Sequence, residues 1–307
     1  VAGFPAAPGT SEGATMVSTK KRYFLFFVLV GPAILLRFLT AVYPVLETLY
    51  LSVFKVDLLT NTRQFVGLRN FQRLLADQSN HDIMYFTLIF ILASVALQLI
   101  LGLGVASMLN ARFPGRNLVR TINLIPWAIP TIVAGLAFRW MLDDQYGLVT
   151  DWLFRLTGNK YELLVHPATA RLCVILVNVW KNTPFMAVVL LAGLQSVPAE
   201  LYEAARIDGA TAFQNFRHIT LPISMSLLLT LGLFSFIWQL ANFDLMLGMT
   251  HGGPGLATTV LSYTVFQQGI LWFNWGMASA LGVILIFVVA IVGILGLALF
   301  RHYGLSL

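Results

Sequence analysis

From Ile83 to Ala111 the chain carries no Asp, Glu, Lys or Arg, and the same holds from Leu245 to Phe300. Runs of that length match the roughly 20 apolar residues a helix needs to cross a hydrocarbon layer about 30 Å thick. Lipid offers no partner to backbone N–H and C=O groups, so such runs must close their hydrogen bonds internally as helices. The second run is interrupted at Thr250–Gly255 (THGGPG), whose glycines and proline mark a loop. The same rule applied along the chain gives six spans: Tyr23–Val53, Ile83–Leu109, Leu118–Leu142, Leu172–Ser196, Ile219–Leu247 and Trp275–Phe300. The expected fold class is an all-α membrane protein with about six transmembrane helices, the first long enough to tilt or to extend past the lipid.

Composition agrees with a bilayer as solvent. The 307 residues are 58% hydrophobic and 10% charged, against about a quarter charged in soluble proteins. The formal net charge of +6 is not gathered into a Lys/Arg block with interleaved aromatics, so nucleic acid is not an expected partner. Topology explains the excess. With an even number of spans both termini lie on one side, and the short connections there carry Lys20, Lys21, Arg22, Arg112, Arg116, Arg120, Arg206, Arg217 and Arg301. That side is expected to be cytoplasmic. Residues 1–20, rich in small and polar types, are expected to form a mobile cytoplasmic tail ahead of a membrane domain covering 21–307. Cys173 is the lone cysteine, which excludes an intramolecular disulfide. The five histidines are scattered without metal-type spacing, so no metal is expected.

Between the fourth and fifth spans, Pro198–Pro222 reads PAELYEAARIDGATAFQNFRHITLP. Pro198 suits a helix start, Glu200 and Glu203 favour its positive end, and Gly209 can take the left-handed conformation that stops it. Thr211 followed by Gln214 has capping-box spacing for a second helix leading into Ile219. The expectation is a helical elbow at the cytoplasmic surface of the membrane. Ala204 and Ala205 let another protein approach the backbone closely, and Glu203 offers a charge for pairing.

Polar groups inside the spans need reasons of their own. Ser235, Trp238, Gln239 and Asn242 fall at i, i+3, i+4 and i+7 and so share one stripe of the fifth span. A hydroxyl and two amides around an indole suit a sugar, whose hydroxyls need fixed partners while its C–H face stacks on a ring. The plainer reading is interhelical glue. Lys181, three residues before Pro184, is a mid-span charge, and Pro184 is expected to break its helix and open the backbone to a wet cavity. Arg37 and Arg139 can snorkel or pair with a neighbour.

The residues of the elbow carry a resemblance. Glu203, Ala204 and Ala205, then Gly209, then Ile219, Leu221 and Pro222 reproduce the spacing of the EAA motif. The chain therefore resembles the permease subunits of carbohydrate-uptake ABC importers, the maltose-type permease family without the large extra periplasmic domain. Tyr43-Pro44, Phe65-Val66-Gly67-Leu68 with Asn70-Phe71, Trp180-Lys181, Thr183-Pro184-Phe185 and Gly252-Gly253-Pro254 look like further family landmarks.

The resemblance implies an importer of a di- or oligosaccharide, neutral or acidic, working by alternating access. Its expected partners are a second, related but different permease, two ATPase subunits and an extracytoplasmic sugar-binding protein. ATP and Mg are expected on the ATPase subunits, with no cofactor bound here, since no Gly-x-x-x-x-Gly-Lys-Ser/Thr loop occurs in the sequence. The resemblance also implies that Ser235, Trp238, Gln239 and Asn242 align with sugar-contacting positions, as do Asn182 and Phe185 on the preceding span, with Lys181 beside the path. An ion-coupled carrier would need acidic residues at mid-span, and only Glu47 and Asp244 come near. An intramembrane enzyme would need a nucleophile with its base or a metal set, and none assembles.

Overall fold

The structure, a computed structural model, describes residues 19–57, 62–111 and 113–302. Most of the expected 1–20 tail lies outside the described residues. Two units are distinguished, divided after Thr48. The first holds α1 (Thr19–Arg37), a π-helical turn (Phe38–Val42) and the start of α2 (Tyr43–Leu51). Pro44 has no N–H to donate back along the helix, and the turn just before it is wider than α, with the Tyr43 N–H reaching Phe38 O. The helix remains one span, Phe26–Leu51 by membrane length.

The second unit opens with a feature the all-helical expectation lacks. Strands β1 (Phe54–Asp57) and β2 (Thr62–Phe65) form an antiparallel hairpin with Phe54 opposite Phe65. The side chain of Asn70 fastens it, donating from Nδ2 to Ser52 O at 2.8 Å and to Phe54 O at 3.0 Å. Asn70 lies in α3 (Arg69–Ala76), which precedes α4 (Gln78–Asn110). Asp77 caps α4 by accepting the Ser79 N–H at 2.9 Å.

The expected third span is not one straight helix. It resolves into α5 (Arg116–Asn123), α6 (Ile125–Ala128) and α7 (Thr131–Met141), and its two halves meet at 89°. Ile129 is extended (φ −70°, ψ 132°) because the ring of Pro130 disfavours the α conformation in the residue before it. After α8 (Leu148–Thr157), α9 (Pro167–Gln195) runs unbroken through Pro184, against the expected break. The elbow consists of α10 (Ala199–Ile207), α11 (Ala212–Asn215) and a π-helical turn (Phe216–Thr220) that continues into α12 (Leu221–Leu240). The fifth span stops at Leu240, short of the expected Leu247, and Asp244–Met249 forms a separate short helix, α13. Next come α14 (Leu261–Phe266), a π-helical turn (Gln267–Leu271) and α15 (Trp275–His302). Among the described residues five helices are long and apolar enough to cross a membrane, and the bent pair makes six if counted as one span.

The centre of this unit is α4, α9 and α12. Arg171 stands over the Phe86 ring, Gln98 reaches Asn178, and Gly102 faces Met186, so α4 and α9 run parallel. A Cβ on Gly102 would come within 3.0 Å of Met186 Cβ, which explains a glycine there. Gly104, two residues further on, faces nothing within 4 Å. Gly276 does pack closely, against the Phe54 carbonyl, and Ala280 is fully buried beside Leu74 and Leu281.

Candidate functional site

The break between α6 and α7 creates the first element of a site. Pro130 supplies no N–H and the chain turns away, so carbonyls at the end of α6 lose their helical partners. Lys181 on α9 meets one of them, with Nζ donating to Trp127 O at 3.2 Å. Its side chain is buried at 6% exposure. The charge expected beside the path is therefore spent on the backbone of the neighbouring span, holding α6 against α9.

With α6 held there, Trp127 joins a row of rings. Trp127 stacks on Phe185 (centroids 5.4 Å apart, planes at 17°), Phe185 lies 6.4 Å from Phe234, and Phe234 stacks on Trp238 at 5.9 Å. These rings line a cleft of about 400 Å³, counting its open mouth, together with Gln98, Asn182, Met186, Ser235 and Gln239. Trp238 is 61% exposed and Phe234 48%, so the outer rungs are uncovered on this chain. No ionisable side chain lines the cleft among the described residues. Sequence reasoning missed Trp127 and Gln98. The signal for Trp127 was present in Pro126 and Pro130, a pair that breaks a span at its midpoint.

The stripe on α12 divides its work. Trp238 faces the cleft, while Ser235 and Gln239 are buried at 3% and 2%. Ser235 Oγ donates to Gln98 Oε1 at 3.0 Å and Gln239 Nε2 to the same oxygen at 3.5 Å. Asn242 lies past the end of α12, so it does not occupy the expected i+7 helical position. A turn nevertheless returns it, and its Nδ2 donates to Asn178 Oδ1 and Gln239 Oε1, both at 3.1 Å. Asn182 Nδ2 donates to Asn178 O and Oδ1, each at 2.9 Å. The plainer expectation, polar contacts tying helices together, therefore describes part of this cluster; such contacts contribute about 0.6–2 kcal/mol each. Arg139 sits apart, around a second cavity with Asp143, Asp144 and Thr250.

The elbow takes the form its local signals predict. Gly209 adopts φ +77°, with its N–H bonded to Arg206 O at 3.2 Å and the Ala210 N–H to Ala205 O at 2.9 Å. That is the Schellman pattern, and it needs a residue at ease in the left-handed region. Thr211 and Gln214 form a reciprocal capping box at the start of α11. Tyr202 Oη lies 3.0 Å from Thr220 Oγ1 and ties α10 to the foot of α12. Pro222 offers no N–H to the carbonyl four residues back, and the π-helical turn just before it makes room for its ring. Leu221 packs against the cluster that includes Leu103, Leu109 and Leu190. Glu203 and Ala204 are exposed, Ala205 is half-buried, and Glu203 makes no ion pair among the described residues. Ile207 and Phe213 stand out at 87% and 69% exposure. Ile219 is half-buried.

Over residues 98–304 the chain matches the family described as the binding-protein-dependent transport system inner membrane component. The chain belongs to this family. It is an integral membrane permease, and the helical fold is that of an importer permease. Among curated proteins it is 37% identical over 261 residues to the trehalose/maltose transport system permease protein MalF of Thermococcus litoralis, covering 85% of this chain and 88% of that one. It is 36% identical over 262 residues, 85% of each chain, to the sulfoquinovosyl glycerol transport system permease protein SmoG of Agrobacterium fabrum. The fold matches a chain of the bacterial alginate ABC transporter, solved with an alginate pentasaccharide-bound periplasmic protein, at a TM-score of 0.82. Identity there is 22%, covering 92% of this chain and 96% of that chain.

Proposed function

We propose that this chain is the permease subunit of an ATP-binding cassette importer that moves a neutral di- or oligosaccharide across the cytoplasmic membrane by alternating access. The cleft carries the reading: four aromatic rings in a row beside amides and a hydroxyl, with no ionisable group among its described lining residues. Rings accept the C–H faces of a sugar, and amides satisfy its hydroxyls. An anion would enter a low-dielectric site whose described lining offers no countercharge, the Lys181 ammonium behind it being engaged by Trp127 O. The permease of the trehalose/maltose system among its relatives supports a sugar. Another solved structure with this fold belongs to a transporter of the acidic polysaccharide alginate, so the lining of this cleft, rather than the fold, favours a neutral ligand.

The remaining parts follow from the two surfaces. An external binding protein delivers the sugar, and a second, related permease closes the open side of the cleft, where Trp238 is uncovered. Two ATPase subunits, holding ATP and Mg, seat on the elbow through Glu203, Ala204, Ala205 and the exposed Ile207. Arg116, Arg120, Arg206 and Arg217 lie in the short connections at that end, which favours a cytoplasmic elbow and cytoplasmic termini.

Uptake of labelled trehalose, maltose and digalacturonate by the assembled transporter in proteoliposomes tests the substrate class. The neutral sugars should enter faster. Lys181→Met should slow every imported sugar alike, by roughly tenfold or more, because it removes a charge-assisted bond worth about 1.5–3 kcal/mol that holds Trp127 in the row. Fastest uptake of digalacturonate, or a Lys181→Met defect confined to it, would reverse the assignment.

A further inference from the structure

We infer that two fully buried amides, Gln98 on α4 and Asn178 on α9, are positioning residues that fix which hydrogen-bonding atoms the cleft presents to a sugar. The inference rests on the sugar reading of the cleft. Both side chains have 0% exposure. Asn178 Nδ2 has no partner among the described residues. A buried donor left unmade is unfavourable, and an apolar side chain of similar size would avoid the penalty. Packing therefore does not explain the residue, whereas its Oδ1 accepts from two others.

The direction of every bond in the cluster follows from one main-chain atom. The Asn178 carbonyl can only accept, so the Asn182 group 2.9 Å from it is Nδ2. The same NH2 lies 2.9 Å from the Asn178 side chain, whose near atom is then Oδ1. Asn242 must face that oxygen with Nδ2, and its second hydrogen reaches Gln239 Oε1. Gln239 is thereby turned so that Nε2 points to Gln98 Oε1, and Ser235 must donate into that same oxygen. Each amide has only one orientation that satisfies its neighbours. Ser235 is left with its lone pairs and Asn182 with Oδ1, both acceptors on residues that line the cleft. Sugar hydroxyls can donate to these. Gln98 Oε1 is the terminal acceptor of the relay, and without it Ser235 and Gln239 lose the partner that sets their rotamers.

The test is uptake of labelled trehalose and maltose by the assembled transporter in proteoliposomes, with binding protein supplied and reconstituted complex quantified for each variant. Gln98→Met keeps the volume and removes the acceptor, and uptake should fall at least about tenfold, whereas Gln98→Glu, as the neutral acid, keeps an acceptor oxygen and an O–H to replace the donor that reaches Asn178 O and should retain more than about a third of wild-type uptake. A packing role predicts the opposite order, Met tolerated and Glu not, and that order would overturn the inference. So would wild-type uptake by Gln98→Met. Should Gln98→Glu fail to assemble, a double-mutant cycle decides: Ser235→Ala added to Gln98→Met should cost nothing further, and losses that multiply would overturn the coupling. Trp238→Ala separates the two failures. If it impairs uptake and Gln98→Met does not, the cleft stands and the relay falls; if neither matters, or the wild-type complex imports neither sugar, both fall.

Discussion

Gly209→Val should leave the permease in the membrane at normal levels while uptake drops at least about tenfold, because any L side chain at φ +77° is strained by roughly 1–2 kcal/mol and a β-branched one by more. The strain falls on the turn that sets the angle between α10 and α11. Open space surrounds the missing Cβ, so the effect would come from the backbone and not from a clash. Asn, which visits the left-handed region readily, should be tolerated at the same position. Glu203→Ala should give the same defect by another route, removing an exposed charge that has no ion-pair partner among the described residues. Uptake measured beside sugar-stimulated ATPase activity in proteoliposomes distinguishes the cases. Valine and asparagine behaving alike would detach the elbow's turn from coupling, and wild-type values for Glu203→Ala would remove that residue from the ATPase contact.

Gln239→Leu and Asn242→Leu should each weaken sugar uptake at least tenfold, equivalent to ~1.4 kcal/mol or more. Gln239 stands between the two shared acceptors, receiving from Asn242 and donating to Gln98. A leucine there leaves one of the two hydrogens of Asn242 Nδ2 without its acceptor and removes one of the two donors to Gln98 Oε1. Assembly should survive, since the apolar contacts of α4 with α9 around Leu103, Met186 and Leu190 are untouched. Quantifying the complex in detergent alongside uptake makes the result decisive: disassembly would turn these residues into scaffold, and normal uptake would remove them from the path altogether.

The six spans and the elbow could be read from the chain because their signals are local. An uncharged run has few ways to satisfy its backbone in lipid, and Gly209, Thr211 and Gln214 act within one or two helical turns of themselves. The resemblance carried by Glu203, Ala204, Ala205, Gly209, Ile219, Leu221 and Pro222 is equally a matter of spacing along the chain, and the family match over residues 98–304 agrees with it. Pro126 and Pro130 carried a signal for a break that the expected single span Leu118–Leu142 did not use, and the angle of 89° and the position of Trp127 depend further on what α9 offers the freed carbonyls.

Relations between helices were left to the tertiary structure. In a bilayer the lipid-facing and protein-facing sides of a helix are both apolar, so periodicity cannot say which face meets which neighbour. Gln98 therefore went unnoticed in the sequence, and its role appears only where α12 brings Ser235 and Gln239 onto its oxygen. Lys181 looked like a charge for the path until Trp127 O took it. Asn242 kept its partners although the helix that should have carried it ends at Leu240, because a turn can deliver a side chain as well as a helical stripe can. Chain-local chemistry determined the spans and the elbow. The row of rings and its buried amides exist only where four separate segments meet, and what brings them together is the need of polar atoms in a dry interior to find one another.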